Sequence, residues 1–250
     1  MKRIIGHLSG IVLVCNFLFG CSKESSISPG SSSNGTGGSL ARFTIAGNYL
    51  YIVDNNKLNT YDITRPDTPV FSNTVTIGNG IETIFPYGNH LYIGSQTGMF
   101  IYSLANPAAP AYTGEAQHLR SCDPVVANDS AAFVTLRSGS TCGPAIEGLY
   151  IYDTRNLMSP QLITTINLAT PWGLGLKDSI LYVCGGANGM SVVNVSDLQY
   201  PVVLQTISGH DFRDVIADRN LLVGYVADGI ALYDIGNPAA PVFIKKIGNE

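Results

Sequence analysis

The segment Gly229–Val242, with the sequence GIALYDIGNPAAPV, is the clearest of five versions of one motif. The other four, in chain order, are Lys57–Val70 (KLNTYDITRPDTPV), Gly98–Ala111 (GMFIYSLANPAAPA), Gly148–Gln161 (GLYIYDTRNLMSPQ) and Gly189–Val202 (GMSVVNVSDLQYPV). Their closing prolines lie 41, 50, 41 and 40 residues apart. A nearly fixed period of this length is typical of a protein built from structural repeats.

Each repeat contains four short runs of strand-forming residues. In the fifth repeat these runs are Asp214–Ile216, Leu221–Tyr225, Ile230–Ile235 and Val242–Ile247. Runs rich in Val, Ile, Leu and Tyr that are bounded by Gly, Asn, Asp and Pro predict β-strands joined by tight turns. Four strands in about 41 residues is the size of one β-propeller blade.

The third run of the third repeat is apolar on both faces. In the third repeat, Leu149 and Ile151 point to one face of the strand and Tyr150 and Tyr152 to the other. A sheet covered on both sides has this pattern, whereas a sheet with one solvated face alternates apolar and polar residues. We therefore predict an all-β protein, a five-bladed β-propeller of four-stranded blades over residues 41–250, whose ring closes by packing of the last blade on the first. The alternative is a β-sandwich of many short strands, which does not require a recurring unit.

The repeat also resembles a known family. A strand ending in LYV or LYI, followed by the pattern G-L-x-I-Y-D-I-S-N-P-x-x-P, is similar to the LVIVD repeat of bacterial surface proteins. The similarity covers roughly Ala41–Gly248; it is clearest in the second and fifth repeats and weakest in the fourth, where Asp197–Pro201 has lost the first proline. The resemblance implies a β-propeller fold and no particular chemistry.

Residues 1–20 are predicted to form a signal peptide. Lys2 and Arg3 precede the apolar run Ile11–Phe19, which is short for a membrane-spanning helix. Leu18–Cys21 (LFGC) resembles the lipobox of bacterial lipoproteins, which implies cleavage before Cys21 and attachment of lipid to this cysteine. The alternative is an ordinary secretory peptide. By resemblance to Gram-negative and Bacteroidetes-type lipoproteins, Ser22 favours sorting to the outer membrane, on the periplasmic or the cell-surface side.

Residues 21–40 are predicted to be a flexible tether, since Ser25–Ser39 (SSISPGSSSNGTGGS) has too few apolar residues to order itself. Cleavage after residue 20 removes two of the 14 basic residues and none of the 18 acidic ones, which leaves a formal charge of −6. Without a basic patch we expect no nucleic acid partner. The lipid is expected to be the membrane anchor, and we expect a monomer with no metal or cofactor.

The cysteines of the folded region are Cys122, Cys142 and Cys184. The third repeat is longer than the others because of the insertion Arg137–Glu147, which carries Cys142, and Cys122 lies at the start of the same repeat. Since export to an oxidising compartment permits disulfides, we expect a bridge between Cys122 and Cys142. Cys184 is expected to be a packed free thiol.

The candidate functional surface lies where each first strand begins, because these positions vary while the proline turns stay nearly identical. Its residues are Glu82, Arg120, Asp123, Trp172, His210, Asp211 and Arg213. No nucleophile, metal or phosphate motif is present in the sequence, and Trp172 and Arg120 are the kinds of residue that anchor ligands. We therefore predict a binding or scaffold module for a protein or glycan ligand. The alternative is a glycan-active enzyme in which carboxylates such as Glu82 and Asp123 act as general acid and base.

Lipid attachment at Cys21 is directly testable. Replacing Cys21 by Ser is expected to move the protein from the membrane fraction to the soluble fraction, because one sulfur carries the anchor. Ser22→Ala is the matched control and should leave the fractionation unchanged. A Cys21→Ser protein that stays in the membrane fraction would show that the anchor lies elsewhere.

Overall fold

The computed structural model describes residues 37–117, 124–138 and 147–248, which form five four-stranded antiparallel sheets. Within each sheet the strands are adjacent in chain order, so every sheet is one repeat. Within those ranges, no helix has the length and apolar character needed to cross a membrane. The prediction of an all-β protein with five four-stranded blades is confirmed.

The twenty strands have the following bounds. Blade 1 contains β1 (Phe43–Ala46), β2 (Tyr49–Asp54), β3 (Lys57–Asp62) and β4 (Val70–Thr76). Blade 2 contains β5 (Ile81–Tyr87), β6 (His90–Ser95), β7 (Gly98–Ser103) and β8 (Ala111–Gln117). Blade 3 contains β9 (Val125–Ala127), β10 (Ala131–Leu136), β11 (Gly148–Asp153) and β12 (Gln161–Ile166). Blade 4 contains β13 (Leu174–Lys177), β14 (Ile180–Cys184), β15 (Met190–Asn194) and β16 (Val202–Ile207). Blade 5 contains β17 (Phe212–Asp218), β18 (Leu221–Val226), β19 (Gly229–Asp234) and β20 (Val242–Ile247).

The blades are arranged around a central channel lined by their first strands, which contact one another from each blade to the next. We call the face of the molecule at which the first strands begin the top face, and the opposite one the bottom face. Because the strands are antiparallel, the turns between second and third strands lie at the top face and the proline turns at the bottom face. Each blade has an upstream side, toward the preceding blade, and a downstream side, toward the next.

The repeated motif sets the local geometry of every blade in the same way. The pairing of third and fourth strands shifts by one residue just before the same motif position, at Tyr61, Tyr102, Tyr152, Val193 and Tyr233. One extra residue on the fourth strand produces this β-bulge. The third strand ends in a side chain that accepts a hydrogen bond from the backbone N–H two residues later: Asp62, Ser103, Asp153, Asn194 and Asp234. This turn chemistry explains why the residue type recurs.

Adjacent blades share apolar cores. Four clusters of buried residues lie between blades 1 and 2, 2 and 3, 3 and 4, and 4 and 5. Two of these interfaces also contain a hydrogen bond from a second-strand tyrosine to the proline turn of the next blade. Tyr51 donates to the carbonyl oxygen of Pro107 and Tyr182 to that of Pro238, each over 2.8 Å. The first proline of the motif therefore serves the neighbouring blade as well as its own turn.

The prediction that the ring closes by packing of blade 5 on blade 1 is wrong. Five blades in a closed ring need five interfaces, and the described residues form four cores, none of which joins blade 5 to blade 1. Among the described residues, no blade therefore packs against the upstream side of blade 1 or the downstream side of blade 5. The repeats carry the same apolar pattern whether or not a neighbour is present, so the sequence pattern did not reveal the gap.

The chain before β1 is packed in the central channel. Ser39, which is 1% exposed, donates a hydrogen bond from Oγ to Asp214 Oδ1 (3.1 Å) and accepts one from the backbone N–H of Leu174 (2.7 Å). The N–H of Leu40 donates to Asp214 Oδ2 over 3.2 Å. A Cβ atom on Gly38 would lie 2.2 Å from the same carboxylate, so glycine is required there. The folded region thus begins before the predicted boundary at residue 41.

Asp214 makes the stability of this packing depend on pH. Burial raises the pKa of its carboxyl above the ordinary value, although hydrogen bonds from Val215, Leu40 and Ser39 lower it in part. A carboxyl whose pKa is raised on folding binds more protons in the folded state, so the folded state loses stability as pH rises through that window. Asp214→Asn removes this titration. We expect the variant's free energy of unfolding, relative to the wild type, to increase from about pH 4 to about pH 7, measured by urea denaturation. A pH-independent difference would contradict the assignment.

Candidate functional site

Trp172 is fixed at the top face by backbone hydrogen bonds to two blades. Its N–H donates to the carbonyl oxygen of Cys184 (2.7 Å) in its own blade. Its carbonyl oxygen accepts a hydrogen bond from Thr135 Oγ1 (2.7 Å) in blade 3. The residue lies two positions before β13, so the start of a first strand sets the position of the indole ring. Gly186, with a positive φ of 58°, packs so closely that a Cβ atom would lie 3.1 Å from Trp172 Nε1.

Two arginines stack on this indole ring. The guanidinium carbon of Arg137, which follows β10, lies 3.4 Å from the ring centroid, and that of Arg213, in β17, lies 4.4 Å from it. A guanidinium over a tryptophan face is attracted by the ring's negative electrostatic potential, by about 0.5–2 kcal/mol. The three side chains come from blades 3, 4 and 5. The stack of two guanidinium groups on the indole therefore forms only when these blades pack together.

Three carboxylates lie around the two arginines. Asp211 Oδ2 accepts a hydrogen bond from Arg213 Nη2 over 2.6 Å. Glu147 accepts hydrogen bonds from Ser138 Oγ (2.6 Å) and from the N–H of Thr170 (2.9 Å), and these lower the pKa of its carboxyl. Glu82 accepts one from Gln96 Nε2 over 3.2 Å. The site therefore contains two positive and three negative groups around a single aromatic ring.

The charged groups of the site influence one another's pKa values across the blades. Burial lowers the pKa of Arg137, with Arg213 acting in the same direction and Glu82 and Glu147 opposing it. A guanidinium remains charged at neutral pH under any of these influences. One polar atom of the site has no hydrogen-bond partner: Asp211 Oδ1 is buried and, among the described residues, unsatisfied. A buried acceptor without a donor is costly unless a ligand or water supplies one.

Four of the seven predicted surface residues come together here: Glu82, Trp172, Asp211 and Arg213. His210 lies elsewhere on blade 5, where its ring contacts Phe212 and Phe243 at centroid distances of 5.8 and 5.9 Å. Arg120 and Asp123 lie outside the described residues, as do Cys21, Cys122 and Cys142, so their predicted roles stay predictions.

Arg137 and Glu147 belong to the site, although the sequence analysis did not select them as site residues. They are the two ends of the insertion that makes the third repeat long. The insertion joins a second strand to a third, so its ends lie at the top face, beside Trp172 and Thr170. The irregular length of the third repeat was the signal that could have identified them.

Neither Cys184 nor a metal cluster contributes to the site. Cys184 is a fully buried free thiol, as predicted, and burial raises its pKa well above the ordinary value, which keeps the unreactive thiol form. Within residues 37–117, 124–138 and 147–248, no group of three or more His, Cys, Asp or Glu side chains is arranged to hold a metal ion.

The fold and its repeated motif place the chain among the β-propeller proteins. Residues 37–77, which include blade 1, match the LVIVD repeat. The match supports the resemblance found in the sequence, at one of the five repeats. No curated protein matches the chain.

Solved structures share the fold at low sequence identity. A functionally unknown protein from Desulfotomaculum acetoxidans superposes with a TM-score of 0.68 at 7% identity, over 81% of this chain and 67% of that one. The periplasmic gluconolactonase PpgL of Pseudomonas aeruginosa gives 0.63 at 11% identity, over 81% and 68%. AztD of Citrobacter koseri gives 0.58 at 10% identity, over 82% and 64%. The chain thus spans about two thirds of the length of these neighbours, and the similarity concerns the fold alone.

Trp172 is the only tryptophan of the chain, so its fluorescence reports on the site directly. Arg137→Ala removes the guanidinium above the ring and admits water to it. We expect a red shift of the emission maximum and a loss of about 0.5–2 kcal/mol in unfolding free energy. Arg219→Ala, an exposed arginine next to β17 at the bottom face, is the control and should leave the emission unchanged. An unshifted spectrum for Arg137→Ala would show that the stacking does not persist in solution.

Proposed function

We propose that this protein is a non-enzymatic binding module whose ligand contacts the top face at Arg137, Trp172 and Arg213. The observation that supports it is the convergence of two arginines and three carboxylates on the chain's single tryptophan, from blades that lie far apart along the sequence. Aromatic and arginine side chains are favoured anchors at recognition surfaces. The partly exposed state of these side chains leaves them accessible to a ligand.

The arrangement favours a polar ligand, a glycan or a protein segment rich in hydrogen-bonding groups. Two guanidinium groups already stack on the indole, so a ligand meets the edges of the arginines rather than an open aromatic face. A stacked guanidinium keeps its in-plane N–H donors for carboxylate, phosphate or hydroxyl oxygens.

The alternative of a glycan-active enzyme is less well supported. A general acid needs a carboxyl whose pKa is raised toward neutrality. Among the described residues, Asp214 is the only carboxyl whose pKa is clearly raised, and both of its oxygens accept hydrogen bonds from the packed segment at Ser39 and Leu40. Glu147, at the top face, has a lowered pKa instead. A carboxylate kept ionised by hydrogen bonds suits recognition better than proton donation.

The proposal includes lipid anchoring at Cys21 and an outer-membrane location. Gly37 lines a cavity of about 200 Å³ in the central channel together with Tyr87, Leu176 and Ala217, which lie toward the bottom ends of the first strands. The chain passes from there to Arg42 near the top face, where the arginine donates to the carbonyl oxygen of Ile81. A tether that joins the propeller at Gly37 therefore meets it on the side away from Trp172.

A binding screen that uses the fluorescence of Trp172 as its probe tests this function. The mature chain with Cys21→Ser would be screened on glycan and peptide arrays, and hits titrated by Trp172 fluorescence while the ligand is checked for chemical change. Arg213→Ala is expected to weaken binding more than tenfold, because truncating an anchor costs about 2 kcal/mol or more. Arg219→Ala is the matched control. Equal affinity of Arg213→Ala and wild type would place the site elsewhere, and turnover of a bound glycan would favour the enzyme.

A further inference from the structure

The upstream side of blade 1 and the downstream side of blade 5 expose apolar residues. The equivalent positions of the other blades are buried. Phe43 in β1 is 62% exposed. By strand register, its equivalents in the other four blades are Ile84, Val125, Leu174 and Val215, all of them 0–1% exposed. Each of the four has a preceding blade against its upstream side, and Phe43 has none. The exposure of Phe43 therefore results from a missing neighbour rather than from its place in the repeat.

The downstream side of blade 5 shows the same contrast. Tyr225 in β18 is 55% exposed, whereas its register equivalents Val53, Thr135 and Cys184 are 0–2% exposed. Leu232 in β19 is partly exposed, although the same position is fully buried in blades 1 to 4, as Thr60, Ile101, Ile151 and Val192. Near the channel, Val223, Tyr225 and Ile230 line a cavity of about 270 Å³ with Leu40 and Ala41.

These sides keep the residue types of an interface. Leu50, Ile52 and Tyr61 on blade 1, and Val223, Ile230 and Leu232 on blade 5, are apolar where a terminal repeat facing water would carry polar groups. One side is an upstream surface and the other a downstream surface, the two kinds that pack on each other in all four internal interfaces. The partner that fits both is a sheet with the same two surfaces.

We propose that further four-stranded blades of the same repeat pack into the gap between blade 5 and blade 1 and close the ring. The first would cover Tyr225 and Leu232 as blade 5 covers blade 4, and the last would cover Phe43 as blade 1 covers Ile84. The part of a structural neighbour that this chain does not match is long enough for two such blades. The superposition with the Desulfotomaculum acetoxidans protein leaves about a third of that chain, roughly 100 residues, unmatched, and two repeats of about 40 residues fit within this length.

An extended chain tests the proposal. A copy of residues 168–248, which carries blades 4 and 5, is joined after Gly248 in the Cys21→Ser protein, and Leu232→Glu is introduced into both the parent and the extended chain. In the parent, Leu232→Glu should barely shift the denaturation midpoint, whereas Ile101→Glu, at the same repeat position between blades 2 and 3, should lower it sharply. In the extended chain, Leu232→Glu should become as damaging as Ile101→Glu, and binding of a hydrophobic dye should fall below that of the parent.

Two outcomes would overturn the proposal. In one, the extended chain tolerates Leu232→Glu as well as the parent does and binds as much dye, which would mean that added blades do not enter the gap. In the other, light scattering shows the parent to be a dimer that Leu232→Glu dissociates into monomers. A second copy of the chain, rather than further blades, would then occupy the gap.

Discussion

Every sheet in this protein has two apolar sides, and the structure depends on covering both. The third strand shows this most directly, since residues such as Ile151 and Tyr152 point to opposite sides and are both buried. Burying a side chain of this size is worth about 1.5–3 kcal/mol, and each interface repeats the gain at several positions. One blade alone leaves too much apolar surface exposed to be stable, so the blades are stable only as a stack. The proline turns contribute to the same contacts, because Tyr51 and Tyr182 reach the turn of the next blade.

The repeat could be predicted in detail because its signals are local. Apolar runs, a closing Asp or Asn, and a proline turn recur in each unit, and the structure repeats even the one-residue bulge beside Tyr61 and its equivalents. Ring closure could not be predicted in the same way, because it depends on the angle between blades and on their number, which no single repeat encodes. Phe43 illustrates the problem, since an apolar residue there fits a closed ring and an open one equally well.

The candidate site was predictable only in part. Glu82, Trp172, Asp211 and Arg213 were found by comparing equivalent positions of the repeats, a method that works where the repeats align. Arg137 and Glu147 lie in an insertion without equivalents, so alignment could not assign them to a face. Once the antiparallel order of the strands is known, the connection between the second and third strands must lie at the top face. Arg137 and Glu147, at the two ends of that connection, are then placed at the top face as well. The role of Asp214 was missed for another reason: its partners, Ser39 and Leu40, lie in a stretch whose composition is typical of a flexible linker.

The open gap and the candidate site are independent features of the molecule. Trp172, Arg137 and Arg213 are held by blades 3, 4 and 5, whose mutual interfaces are fully packed, and the backbone of Trp172 is bonded within that part of the ring. Asp214 lies on β17, directly beside Arg213, and is fixed by the segment in the channel rather than by blade 1. Because a recognition surface needs a rigid first layer of contacts, the packing of blades 3, 4 and 5 on one another supports the site. Blades that fill the gap would stabilise the ring without changing the contacts of the indole, since neither side of the gap carries any of these residues.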